Sequence, residues 1–230
     1  MANRKTITQY TGPLTVEQAA ESITKARANA QSLLADAELL LEHQRWARAT
    51  ALAILSIEEA GKVALIRELL LARDEAELRE GWRAYRSHSK KNVLWILPDL
   101  AAKGARSFED LSLVGDPTSD HPQVLESLKQ AAFYSDVYGK GRCSSPTTDI
   151  PEDFARTIVS MAGLLARTGE GLTSAAELAL WVRHMGPVWH RSNWEMSQAL
   201  AACYQEAEET GMLQSGSSAS EMTKFLFGIE

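Results

Sequence analysis

The sequence predicts an all-α protein, and three observations carry that prediction. Ala, Leu, Glu, Gln and Arg are abundant, and their side chains lose little rotamer freedom in a helix. Gly and Pro together account for 21 of the 230 residues, too few for a turn-rich β protein or a disordered chain. Apolar residues also recur at three- and four-residue spacing over long stretches, the period of a helix with one buried face.

The elements follow in order. Residues 1–14 read as an arm, 15–210 as a single helical domain and 211–230 as a flexible tail. Within the domain, 15–100 form the core and 122–210 add further helices. The first helix starts at Thr15, where Thr15-Val-Glu-Gln18 has capping-box spacing, and runs to Leu41. A polar break, Glu42-His-Gln-Arg45, leads to a second helix from Trp46 to Ala72, whose broad apolar face predicts a central position. A third helix is expected from Asp74 or Glu75 to Ile96 or Leu97, ended by Pro98.

Residues 104–122 read as a loop containing two prolines. A fourth helix then spans about 123–137. Tyr138 to Pro146 is a second loop, in which Gly139-Lys-Gly-Arg142 reads first as a turn, with RNA contact as the alternative. Pro151 suits the first position of a fifth helix ending near Thr168. A sixth covers Thr173 to Met185 and another Ser192 to Thr210. Ser215 to Ser220 looks flexible, and Glu221 to Phe227 is expected to form one docked turn. Trp181, Trp189 and Trp194 are assigned to the core, with His184 and His190 as ordinary polar partners.

Several function classes fall away. No apolar run approaches the roughly 20 residues a bilayer-spanning helix needs, and the N-terminus is polar, so the chain is expected in the cytoplasm, off the membrane. Cys143 and Cys203 are expected as free thiols. There is no His-Glu-x-x-His, no Cys-x-x-Cys and no paired Glu-x-x-His set, so no metal site and no cofactor are expected. Glu59-Ala-Gly-Lys62 lacks the first glycine and the hydroxyl residue of a phosphate-binding loop. The net charge of −6 means that contact with nucleic acid needs a local basic patch. One exists between Gly81 and Pro98, where Arg83, Arg86, Lys90 and Lys91 occur without an acid and Trp82, Tyr85 and Trp95 interleave with them.

Three segments, in order, resemble the AbiV-type abortive-infection proteins of the HEPN superfamily. They are Asn29-Ala-Gln-Ser-Leu-Leu-Ala-Asp-Ala37, the alanine-rich stretch from Ala47 ending in Glu58-Glu-Ala-Gly-Lys62, and Arg86-Ser-His-Ser-Lys-Lys91. A weaker fourth, Leu128-Lys-Gln-Ala-Ala-Phe-Tyr-Ser-Asp136, follows; together they cover roughly residues 15–165. The resemblance implies a HEPN-like helical bundle with additional C-terminal helices.

It also implies a ribonuclease motif, an Arg followed at short distance by a His, here Arg83-Ala-Tyr-Arg-Ser-His88, with Ala84 where such motifs often carry a polar residue. The residue types suit metal-independent RNA cleavage. His88 would move the proton as general acid or base. Arg83 would offset charge on the phosphoryl oxygens, a donor worth on the order of 3 kcal/mol when preorganised. On one regular helix the two would lie about 140° apart, so the resemblance implies a homodimer whose motifs meet in one cleft. Arg86, Lys90, Lys91 and Tyr85 are candidate RNA contacts. Glu59 and Lys62 are candidate supporting residues: Glu59 is a carboxylate in an apolar helix that would orient His88 or Arg83, and the plainer reading is a Glu58–Lys62 pair.

The function implied is that of an antiphage effector that cleaves RNA or stops translation, with RNA as substrate and a phage-encoded protein as activator. The alternative is a non-catalytic helical protein that senses a phage or host protein and inhibits translation by contact.

Overall fold

A turn at residues 43–45, with Gln44 in a left-handed conformation at φ 57°, reverses the chain between two long helices. These are α1 (Val16–Glu42) and α2 (Trp46–Leu70). The structure is a computed structural model and describes residues 8–116, 118–167, 172–213 and 218–229. Residues 1–7 of the predicted arm, Pro117, Thr168 and residues 215–217 of the predicted flexible stretch lie outside the described residues.

Helix α1 begins as predicted: the Thr15 hydroxyl accepts from the Gln18 backbone N–H, and the Gln18 side chain returns the bond. It packs along α2 through small residues, Ala30, Ala37, Ala49 and Ala53, which let the two backbones approach closely. Helix α2 is buried on several sides, as its broad apolar face predicted, and is covered by α1, by α6 (His121–Phe133) and by α8 (Glu152–Arg167). Leu125 of α6 and Ile158 and Val159 of α8 complete this core. Farther along, Ile23 and Ile66 pack on Leu178 of α9 (Ala175–Met185).

The third predicted helix is three elements. Helix α3 (Glu75–Arg86) stops where Ser87 becomes extended, at φ −79° and ψ 129°. Ser87 then caps a single turn, α4 (His88–Lys91), and a 3-10 turn over Val93–Ile96 leads into α5 (Leu97–Ala102). Pro98 therefore lies in the first turn of a helix rather than ending one, because no backbone N–H needs a partner there. The first predicted loop contains a 3-10 turn at Glu109–Gly115. The second contains a short hairpin, β1 (Val137–Tyr138) with β2 (Arg142–Cys143), followed by α7 (Pro146–Asp149).

Helix α10 (Asn193–Glu209) packs on α9 around Leu172, Leu180, Cys203 and Ala207. Both cysteines are free, and burial pushes the Cys203 thiol up to about 11. Part of the predicted tail is helical: α11 (Ala219–Phe227) is tied down where the Phe108 N–H donates to the Phe225 carbonyl, 2.9 Å. Trp194, predicted in the core, is exposed, and its ring meets that of Phe227 in this last helix. No helix among the described residues is long and apolar enough to cross a membrane.

Candidate functional site

Helices α2 and α4 meet at Gly61. A Cβ built there would come within 2.0 Å of the Lys91 backbone carbonyl, so only glycine lets α4 lie flat on α2. The contact brings His88 and Lys91 beside Glu58, one helical turn back from Gly61. From the third side, α6 presents Lys129 on the same face as Leu125 and Ala132.

The result is a buried charge cluster. Lys129 Nζ lies 2.6 Å from Glu58 Oε1, 2.7 Å from Glu126 Oε2 and 3.2 Å from His88 Nδ1. His88 Nδ1 is 2.7 Å from Glu58 Oε2, and Lys91 Nζ is 3.7 Å from the same oxygen. The Glu58 side chain is 3% exposed and that of His88 53%. Charges so deep persist only when paired, and here two carboxylates face two ammonium groups. Burial lowers the Lys91 ammonium from the ordinary lysine value, although Glu58 opposes the shift. Burial raises the Glu126 carboxyl, but its hydrogen bonds from Lys129 and Gln130 outweigh that and leave it lowered.

The chemistry centres on the imidazole. Facing the Glu58 carboxylate oxygen, His88 Nδ1 is the donor of this contact, which leaves Nε2 outside it. A carboxylate in this position holds the ring's tautomer and orientation and offsets charge when the ring is protonated. That is the arrangement of a proton-transfer histidine. Glu58, His88 and Glu126 also offer three ligand atoms within 4.8 Å of one another, enough to suggest a metal. The ammonium of Lys129, however, lies between them at hydrogen-bond distance from both carboxylates and beside the imidazole nitrogen. A built-in cation thus takes the place an ion would need.

A family model described as AbiV, of the HEPN group, matches residues 18–167, which carry every member of this cluster. The chain belongs to the AbiV family of HEPN proteins. No curated protein and no solved structure matches it. The match spans α1 to α8, so α9, α10 and α11 lie beyond the AbiV unit.

Within that unit the residues singled out from the sequence separate. His88 and Lys91 join the cluster. Lys91, expected at an RNA surface, is buried against Glu58, whereas Lys90 is exposed. Arg83 lies on the surface and pairs with Glu80 one turn back. Arg86 stacks over Trp82 and donates to the carbonyls of Trp82 and Tyr10. With Thr11, Arg79, Trp82 and Ser87, these two arginines line an open hollow of about 490 Å³.

Tyr85, expected to stack on bases, packs against the α1–α2–α9 core with Lys62 over its ring, 5.6 Å from the centroid. Trp82 and Trp95 are likewise turned inward, each indole N–H donating to a backbone carbonyl. Glu59 pairs with Lys62 at 2.6 Å, and the carboxylate on His88 is that of the preceding residue, Glu58. The reason is rotation: successive helix positions turn by about 100°, and α4 docks on the Glu58 side of α2.

Glu126 and Lys129 were not singled out from the sequence. The signal was present: Pro122, Leu125, Lys129 and Ala132 form one buried stripe at helical spacing, and a lysine in such a stripe needs an acid opposite it.

Proposed function

We propose that this protein is an abortive-infection effector that cleaves RNA without a metal, acting in the cytoplasm as a homodimer. The observation that carries this reading is the half-exposed His88 held through Nδ1 by the buried Glu58. His88 Nε2 takes the 2′-hydroxyl proton as that oxygen attacks the adjacent phosphorus, or returns a proton to the departing 5′-oxygen. Glu58 keeps the tautomer and balances the imidazolium.

Arg83 supplies the cation for the phosphoryl oxygens. Its exposed position beside an open, arginine-lined hollow supports a cleft completed by a second copy rather than within one chain. Arg86 and Lys90 add positive charge along the approach, and a phage-encoded protein serves as activator.

The test is mapping of RNA ends in cells that express wild type or His88→Ala, with and without phage. Defined new ends with wild type alone support the ribonuclease. Growth arrest of equal strength in the variant, without new ends, would move the assignment to a protein that inhibits translation by contact.

A further inference from the structure

Between α6 and α7 the chain places aromatic rings and cations on a short hairpin that no part of the proton-transfer site uses. Its base is closed by Ser144, whose N–H donates to the Asp136 carbonyl at 2.7 Å and whose hydroxyl accepts from the Asp136 N–H at 2.9 Å. Above this ring β1 and β2 pair antiparallel, Val137 opposite Cys143 and Tyr138 opposite Arg142. Gly139 and Gly141 turn the tip at φ 50° and 85°, conformations that favour glycine, and Lys140 projects between them.

Residues directly opposite on paired strands share a face, so Tyr138 and Arg142 stand side by side. Tyr134 and Val137 are each 62% exposed and Tyr138 is 44% exposed. Nearby acids are already engaged. Asp136 Oδ1 accepts from the Val137 N–H, and Asp149 accepts from the Ser145 N–H and the Thr148 hydroxyl, with a long 3.5 Å surface contact to Arg142.

We infer that the Tyr134–Arg142 hairpin is a single-stranded RNA contact, with bases stacking on Tyr134 and Tyr138 and Arg142 and Lys140 meeting the phosphates. Every base has a face that stacks on an aromatic ring, and a neighbouring guanidinium offers a fork of donors to the phosphate. The net charge of −6 gives RNA no general attraction to the surface, so a strand needs local footholds such as this one. Continuity favours it as well, because α6 runs from Lys129, which holds Glu58 beneath His88, directly into the hairpin.

The inference rests on RNA being the substrate, and its test is separate from cleavage. Binding of the full chain to a labelled 2′-O-methyl RNA of about 12 nucleotides is read by anisotropy, since the blocked 2′ oxygen cannot attack. Tyr134→Ala with Tyr138→Ala is expected to weaken binding about 10-fold or more, with an unchanged circular dichroism spectrum. Lys140→Gln with Arg142→Gln should weaken it too and make the slope of log K against log salt shallower by about 1.4.

Wild-type affinity and salt slope in both variants would overturn the inference, as would failure of the wild type to bind. Unchanged RNA affinity with loss of a dimer by light scattering in the tyrosine variant would give the surface to a second copy instead. If the variants lose RNA binding while no RNA ends appear in cells, the hairpin contact stands and the ribonuclease falls.

Discussion

His88 and Arg83 belong to one short segment, yet they occupy opposite physical environments. His88 begins a turn docked on the central helix, and its Nδ1 is clamped by a buried carboxylate that two lysines also contact. Arg83 lies on the open face of α3 and, among the described residues, pairs with Glu80 of its own helix. The break at Ser87 separates the two regimes. The histidine half is positioned by the core, so under the proposed function little of it remains to be oriented at the moment of reaction. The arginine half is a solvated side chain with rotamer freedom to lose, and under the proposed function a second copy of the chain orders it. Under the proposed function, a site assembled from one fixed and one movable part is inactive until the second is held.

The largest effect should come from breaking the fixed half. Glu58→Ala leaves Lys91 without its carboxylate and Lys129 with Glu126 alone, and should cost about 3 kcal/mol in urea unfolding. A loss under about 1 kcal/mol would mean that the cluster does not hold the helices together. Next comes the seat of α4. Gly61→Ala forces a methyl group against the Lys91 carbonyl and should cost about 1–3 kcal/mol, with the His88 ring signals of the folded protein displaced in an NMR spectrum.

Smallest in stability is the movable half. Arg83→Ala should change unfolding by no more than about 0.5 kcal/mol, because an exposed pair within one helix contributes little. Under the proposed function the same change should lower RNA cleavage about 100-fold. Equal effects of Glu58→Ala and Arg83→Ala on stability would erase the distinction between the two halves.

Much of the fold was legible. The capping box at Thr15, the reversal at residues 43–45 and the central place of α2 all follow from local pattern, because helix ends and apolar stripes are set by neighbours a few residues away. The unbroken third helix was misread for a specific reason. Its break at Ser87 and the docking of α4 depend on Gly61, a residue of another helix, and a pattern along one segment carries no trace of that contact. The last helix, α11, covers the docked turn expected at Glu221–Phe227 but begins earlier, at Ala219 within the stretch that reads as flexible. It meets Phe108 and Trp194 from elsewhere in the chain.

The site divides in the same way. By itself the sequence determined the family, the helical class and His88 as the histidine with a basic surround, since residue types and their order suffice for these. Only the tertiary structure decided that Glu58 rather than Glu59 holds that histidine, that Lys129 fills the centre where a metal would go, and that Lys91 and Tyr85 face inward. Adjacent positions on a helix point to different neighbours, and which neighbour a buried charge meets is settled by how helices dock, not by spacing along the chain.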